Sequence, residues 1–377
     1  MPRMTWFWRL VCSPDCTEAC QSDCPGCYDL TGEWQQLGSL HMAGPAVRPR
    51  WRWSRFGELW ACWSRSTSAK LFDRVSPVKL ARTVTGCACE PAPQPALIRH
   101  EVKRSYGAQA VNVMAGVQDG CCSPGLPADA SCASCYSSDD LATLPAGALA
   151  SATGCGNPLV LAGLQHGEVV LELGSSGGMD ALLAAAKVGL EGQVYAVVLT
   201  SEMVDLGRAN ASQVGARNVV FLQGDLDAIP LPDESVDVII SNCAVNLAPE
   251  KEPVFREAYR VLRPGGRLCF SDVVTRHPVP PAMKADLTLW SACVAGALSE
   301  TQYVDAVRAA GFADAEVVRE RDYTARDAEG AGLAPFLRKY GTDLAAGLGF
   351  GSGRVSARKP SRVPATTVDR PLEEVNL

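Results

Sequence analysis

The stretch EVVLELGSSGGMDALLAAAKVG, residues 168–189, decides the fold. Residues 168–173 read as a strand, 174–178 as a glycine turn, and MDALLAAAKVG (179–189) as a helix. The same alternation then repeats. Strand-like runs follow at 193–200 (QVYAVVLT), 218–225 (NVVFLQGD), 236–242 (VDVIISN) and 267–274 (RLCFSDVV). Helix-like runs lie between them at 201–215 and 250–263. The run 194–199 is nearly all apolar, as a parallel strand covered on both faces requires. Strand and helix in strict alternation predict a doubly wound, Rossmann-like α/β sheet. Arg263-Pro264-Gly265-Gly266 is expected to stop a helix and turn into the next strand.

Outside this region the readings are simpler. Residues 101–118 are expected to form a helix, and PPAMKADLTLWSACVAGAL (280–298) another. Ser299-Glu300-Thr301-Gln302 opens a further helix with a capping box. AEVVRERDY is expected as the last strand, giving a small C-terminal α/β extension. The Gly/Ser/Pro-rich tail from about 347 is expected to be mobile. The chain thus divides into five parts. Residues 1–99 are an atypical Cys/Trp/Arg-rich extension, expected to be largely disordered, and 100–165 form an N-terminal cap. Residues 166–275 are the core, 276–346 a substrate-side region, and 347–377 the tail.

Composition narrows the function. Hydrophobic residues make up 47% and charged residues 20% of the 377, so global disorder is excluded. Residues 1–100 carry 12 Lys/Arg against 8 Asp/Glu, and the rest carry 23 against 33. A net charge of -6 argues against a nucleic-acid partner. The charge-free stretch 141–165 holds Pro145, Pro158 and several glycines, which argues against a membrane span. Sixteen cysteines without a secretory signal suggest a reducing compartment and soft-ion or redox chemistry. Cytoplasmic placement is expected, with organelle targeting by the N-terminal extension as the alternative. The run Cys12, Cys16, Cys20, Cys24, Cys27 reads as part of an unstructured extension, with a soft-metal stripe as the alternative. Cys132/Cys135 is a C-x-x-C with no second pair at zinc spacing. Cys269, inside a strand, reads as a small hydrophobe. The four histidines share no motif.

The turn LELGSSGGMD differs from the dinucleotide pattern G-x-G-x-x-G. It resembles the glycine loop of class I AdoMet-dependent methyltransferases, as do GDLDAIPLPDESVDVIISN and EAYRVLRPGGRL, in the same order. That resemblance implies S-adenosyl-L-methionine as cofactor. Its contacts would be Glu172, Gly174, Ser175, Ser176 and Gly178 in the loop, and Leu199 and Thr200 after the second strand. Asp225 and Leu226 would meet adenine, and Asn242 would floor the site. GCGNP (154–158), SNCAVNLAPEK (241–251), FSDVV (270–274) and LWSACVAGAL (289–298) resemble the arsenite methyltransferase family, as do RSYGAQA and GCC (120–122). This narrower resemblance covers about residues 100–320. It implies methylation of trivalent arsenic, as arsenite or its thiol conjugates, in arsenic detoxification. Cys155, Cys243 and Cys293 stand where the family holds arsenic. Cys121 and Cys122 stand where an N-terminal pair acts in redox cycling with a thioredoxin- or glutathione-type thiol reductant. Three thiolates are natural ligands for a soft, thiophilic ion.

Two residues depart from the pattern. Ser176 replaces a loop glycine. Val198 replaces the acidic residue that accepts hydrogen bonds from the ribose hydroxyls; Glu202, a turn later, is the nearest substitute in sequence. Unmet hydroxyls cost about 1–3 kcal/mol each, so weakened cofactor binding is expected. Two rival readings remain. One keeps the fold and methylates an O, N or C nucleophile. The other is a degenerate relative that binds arsenite without turnover.

Overall fold

A computed structural model describes residues 93–117, 135–324, 339–341 and 347–361, all within the compact unit that begins at Pro91. Among the described residues four helices precede the sheet: α1 (Pro95–Met114), α2 (Ser138–Ala142), α3 (Ala146–Ser151) and α4 (Pro158–Ala162). The alternating part follows as β1 (Val169–Leu173), α5 (Met179–Val188), β2 (Gln193–Val198), α6 (Ser201–Gln213), β3 (Val219–Gln223) and β4 (Val236–Asn242). Then come α7 (Lys251–Val261), β5 (Leu262–Thr275), α8 (Pro281–Lys284), α9 (Leu287–Ser291), β6 (Leu298–Ser299), α10 (Glu300–Ala309), β7 (Ala313–Asp322) and β8 (Gly351–Arg358).

One sheet runs in the order β3-β2-β1-β4-β5-β8-β7, with β6 paired to β5. Strands β1 to β5 are mutually parallel, whereas β8 is antiparallel to both its neighbours. This is the doubly wound α/β sheet expected from 168–189. Side chains alternate between its faces. Val170, Val238 and Ile240 pack with α5 and α6 on one face. Leu171, Ile239 and Leu268 pack with Phe255 of α7 and Tyr303 of α10 on the other. Both faces are therefore dry, which is why the strands read as apolar runs. Among the described residues no helix is long and apolar enough to cross a membrane.

Four expectations need correction. The tail is not mobile over 347–361: GSGRVSAR is strand β8, lying between β5 and β7. Gly and Ser have low strand propensity, but a Cβ at Gly353 would stand 2.8 Å from Val274, so close packing selects the small residue. Residues 280–298 do not form one helix. Asp286 accepts a hydrogen bond from Thr288 N–H and caps a new helix there, so the segment breaks into α8 and α9. The helix at 101–118 begins earlier, at Pro95 in the first turn, so a boundary at 99/100 falls inside α1. Residues 263–266 belong to β5, whose register against β4 shifts between Val236 and Val238. The capping box at Ser299 and Gln302 is present. Residues 1–92, with the Cys12–Cys27 run, lie outside the described residues, as do Cys121, Cys122, Cys132 and 362–377.

Candidate active site

Strand order reverses between β1 and β4, and a cleft opens beyond their carboxyl ends, as a doubly wound sheet dictates. The turn after β1 makes one wall. Gly174 has φ +77°, and a Cβ there would overlap that of Ala244, so the turn admits only glycine. Ser176 adopts φ 47°, a left-handed conformation that a side chain makes costly. Gly174, Ser176, Leu199, Thr200, Asp225, Leu226 and Asn242 all line this cleft of about 780 Å³. Glu172, Ser175 and Gly178 stand behind the wall. Glu172 is 2% exposed and accepts a hydrogen bond from Ser175 Oγ at 2.5 Å, while Gly178 packs on the Phe221 ring.

A buried carboxylate network backs the turn. Asp180 accepts from the Tyr136 hydroxyl at 2.7 Å and from Asn242 Nδ2 at 3.2 Å. Burial raises the pKa of both Glu172 and Asp180, and the charge of Asp180 adds to the rise at Glu172. Val198 lines the cleft at the end of β2 and is 2% exposed. Glu202 is not among the residues lining the cleft; its carboxylate lies beside Gly107 of α1, 3.7 Å from where a Cβ would stand. Arg99 of α1 also lines the cleft, pairs with Asp227, and lies 4.0 Å from Asp225. Nothing in its local sequence marks it.

The three thiols converge. Cys243 follows β4 with φ 58°, and its N–H donates to the Ser271 carbonyl at 2.9 Å. Cys293 follows α9 rather than lying on a helix, with φ 57°. Its thiol donates to the Cys243 carbonyl at 3.2 Å. Cys155 N–H donates to Asn242 Oδ1 at 3.0 Å. Cys243 and Cys293 belong to one apolar cluster with Cys155 packed against it, close enough for the Cys243 thiol to interact with each of the other two. All three pKa values are raised: that of Cys155 by burial, that of Cys243 first by its interaction with Cys155, and that of Cys293 first by its interaction with Cys243. Among the described residues no three His, Cys, Asp or Glu groups form a ready metal site. The thiols are a chain of contacts centred on Cys243, not a closed cage. Cys243 also lines the cleft, so the sulfur centre and the glycine turn share one space.

Other residues missed in the sequence surround this centre. Tyr106 of α1 lines the cleft and bonds Thr153 and Cys293. Cys269 stays apart, 3% exposed within the core of one sheet face, as its small-hydrophobe reading expects. The Cys135 carbonyl accepts from Asn157 Nδ2 at 3.0 Å.

A family model described as "Methyltransferase domain" matches residues 164–311. The chain is 41% identical to an arsenite methyltransferase of Halobacterium salinarum over 64% of its own length and 59% of that protein. It is 39% identical to an arsenite methyltransferase of Aquipseudomonas alcaligenes, over 46% of this chain and 52% of the relative. Over these spans the chain is similar to arsenite methyltransferases. It spans little more than half the length of these two relatives. A crystal structure of an arsenic(III) S-adenosylmethionine methyltransferase from Chlamydomonas reinhardtii shares 29% identity, covering 64% of this chain and 75% of that one, with a TM-score of 0.45.

The resemblance implies AdoMet, and the apolar lining of the cleft fits that molecule except at one position. Val102, Leu199, Met203 and Leu226 offer apolar contact, and Asp225 lines the cleft beside Leu226. Val198 is the point of misfit, because its methyl groups cannot accept a hydroxyl proton.

Proposed function

We propose that this chain methylates trivalent arsenic held by Cys155, Cys243 and Cys293, with AdoMet as the methyl donor. The observation that carries the reading is Cys243, which lines the cofactor cleft and contacts both other thiols. When bound, AdoMet supplies an electrophilic sulfonium methyl group. Leu226 and Asp225 would hold its adenine end, and the turn from Gly174 to Gly178 its amino-acid end.

The chain's own part is capture and positioning. Arsenite carries three hydroxyls, and each leaves as water with one thiol proton as an As–S bond forms. Three neutral thiols are therefore a competent starting state, and their raised pKa values are no obstacle. The neutral trithiolate suits the apolar surroundings of Trp290, Met283 and Ile98, where a net charge would be costly. Loss of water and fixed orientation are then the main contributions to rate. Cys121 and Cys122, with a thiol reductant of the thioredoxin or glutathione type, would return oxidised thiols to the reduced state. A reducing, cytoplasmic setting suits this chemistry.

The test is incubation of the purified protein with arsenite, AdoMet and thiol, followed by speciation of arsenic. Methylated arsenic is expected, and its loss in Cys243→Ser; absence of methylated product while AdoMet binds would overturn the reading. Val198 supports a second reading, a relative that sequesters arsenite without turnover. Tight arsenite binding with no product would favour it.

A further inference from the structure

Asn246 lies three residues beyond Cys243 and is 0% exposed. Every polar group it has is engaged. Its N–H donates to Asp272 Oδ2 at 2.9 Å, and its carbonyl accepts from Lys251 Nζ at 3.0 Å. Its Oδ1 lies 2.6 Å from the Tyr303 hydroxyl. Its Nδ2 donates to the Val273 carbonyl at 2.9 Å and to the Cys293 carbonyl at 3.4 Å. A buried carboxylate thus holds one end of this residue and a buried ammonium the other.

The bracket is itself tightly tied. Tyr303 also lies 2.8 Å from Asp272 Oδ2. Lys251 donates to the Ala248 carbonyl at 2.6 Å and sits 5.1 Å from the centre of the Trp290 ring. A Cβ at Gly296 would overlap the Asn246 carbonyl and stand 2.9 Å from Lys251 Nζ. The loop after Cys293 therefore approaches as closely as glycine allows.

Buried ionic groups can often be replaced by apolar ones of similar volume without loss of stability, so stability alone is a weak account of such a cluster. What the cluster does supply is a fixed separation between two chain segments. Cys243 and Cys293 both adopt positive φ, a strained conformation that persists only where surroundings over-determine it. Asn246 is continuous with the first turn and grips the carbonyl of the second.

We propose that Asn246, clamped by Asp272, Lys251 and Tyr303, is the positioning residue that sets the spacing of Cys243 and Cys293 for capture of a trivalent thiophilic metalloid. This role rests on the arsenic binding proposed for these thiols. It gives four residues outside the cofactor cleft a function in substrate geometry.

The test is protection of individual cysteines from iodoacetamide by arsenite in the full chain, read cysteine by cysteine by mass spectrometry. In Tyr303→Phe and Asn246→Ala, the arsenite concentration that half-protects Cys243 and Cys293 is expected to rise at least tenfold. AdoMet affinity, measured by calorimetry, is expected to stay within twofold. Unchanged half-protection in folded Tyr303→Phe would overturn the proposal, as would an equal loss of AdoMet binding, which marks a merely structural role. Tyr303→Phe removes one oxygen, so it keeps the test open if Asn246→Ala does not fold. No protection of Cys243 in the unsubstituted protein would instead overturn the arsenic-binding reading.

Discussion

The side-chain oxygen of Asn242 accepts the backbone N–H of Cys155 at 3.0 Å, across 87 positions of sequence. The same side chain donates to Asp180, Tyr136 and the Gly156 carbonyl. Asn242 thus fastens the first thiol to the strand that presents the second, and both to the helix that opens at the glycine turn. Truncation to Asn242→Ala leaves buried partners unmet, at about 1–3 kcal/mol. Arsenite affinity is expected to fall roughly tenfold to a hundredfold on that cost, read by calorimetry beside the unsubstituted protein.

The contact chain of sulfurs makes Cys243 unequal to its neighbours. Cys243→Ser separates the other two thiols, whereas Cys155→Ser and Cys293→Ser each leave an adjacent pair. Arsenite binding is expected to vanish in the first and to weaken in the other two. Cys269→Ser, in the core of the sheet, is expected to lower Tm while leaving arsenite affinity unchanged. Thermal melts and arsenite titrations on the four variants check this order.

Val198 lines the cleft at the position where the family resemblance implies an acceptor for ribose hydroxyls. Val198→Asp is expected to raise AdoMet affinity by about one to two orders of magnitude. Calorimetric titration of both proteins decides it, and equal affinities would show that the carboxylate has no partner there.

Glu172 has a folded pKa pushed up to about 8 by burial and by Asp180. The folded state then holds its proton more tightly than the unfolded state, so the contribution to stability is full below the unfolded pKa. It is lost as pH rises through the folded one. Wild-type stability, and Tm with it, is expected to fall across about pH 5 to 8, by at most about 1.4 kcal/mol for each step of one in pH. Glu172→Gln is expected to flatten that fall, which a series of melts at stepped pH measures.

Strand β8 lies inside the sheet, with Val355 and Ala357 buried. A chain ended at Gly349 would expose the edges of both β5 and β7. Loss of cooperative unfolding and a tendency to aggregate are expected, read by calorimetric melting and light scattering.

The alternation of period and the glycine turn sufficed for β1 to β5, because buried parallel strands and their crossover helices must be apolar in a recognisable rhythm. Local words around Cys155, Cys243 and Cys293 marked the thiols before any contact was known. Strand β8 was not legible: its Gly and Ser residues are poor strand formers, and its neighbours β5 and β7 alone make it a strand. The break at Asp286 was missed because a helical rhythm ran on through a residue whose side chain caps the backbone instead.

Sequence by itself determined the sheet and the glycine turn, since these follow from patterns within short windows, and a family resemblance singled out the three thiols. Tertiary structure alone decided that Asn242 bonds the Cys155 N–H, that Asn246 bonds the Cys293 carbonyl, and that the Glu202 carboxylate lies beside Gly107 of α1. Hydrogen bonds between residues dozens of positions apart leave no periodic trace in the chain. Their geometry exists only once the two faces of the sheet are packed.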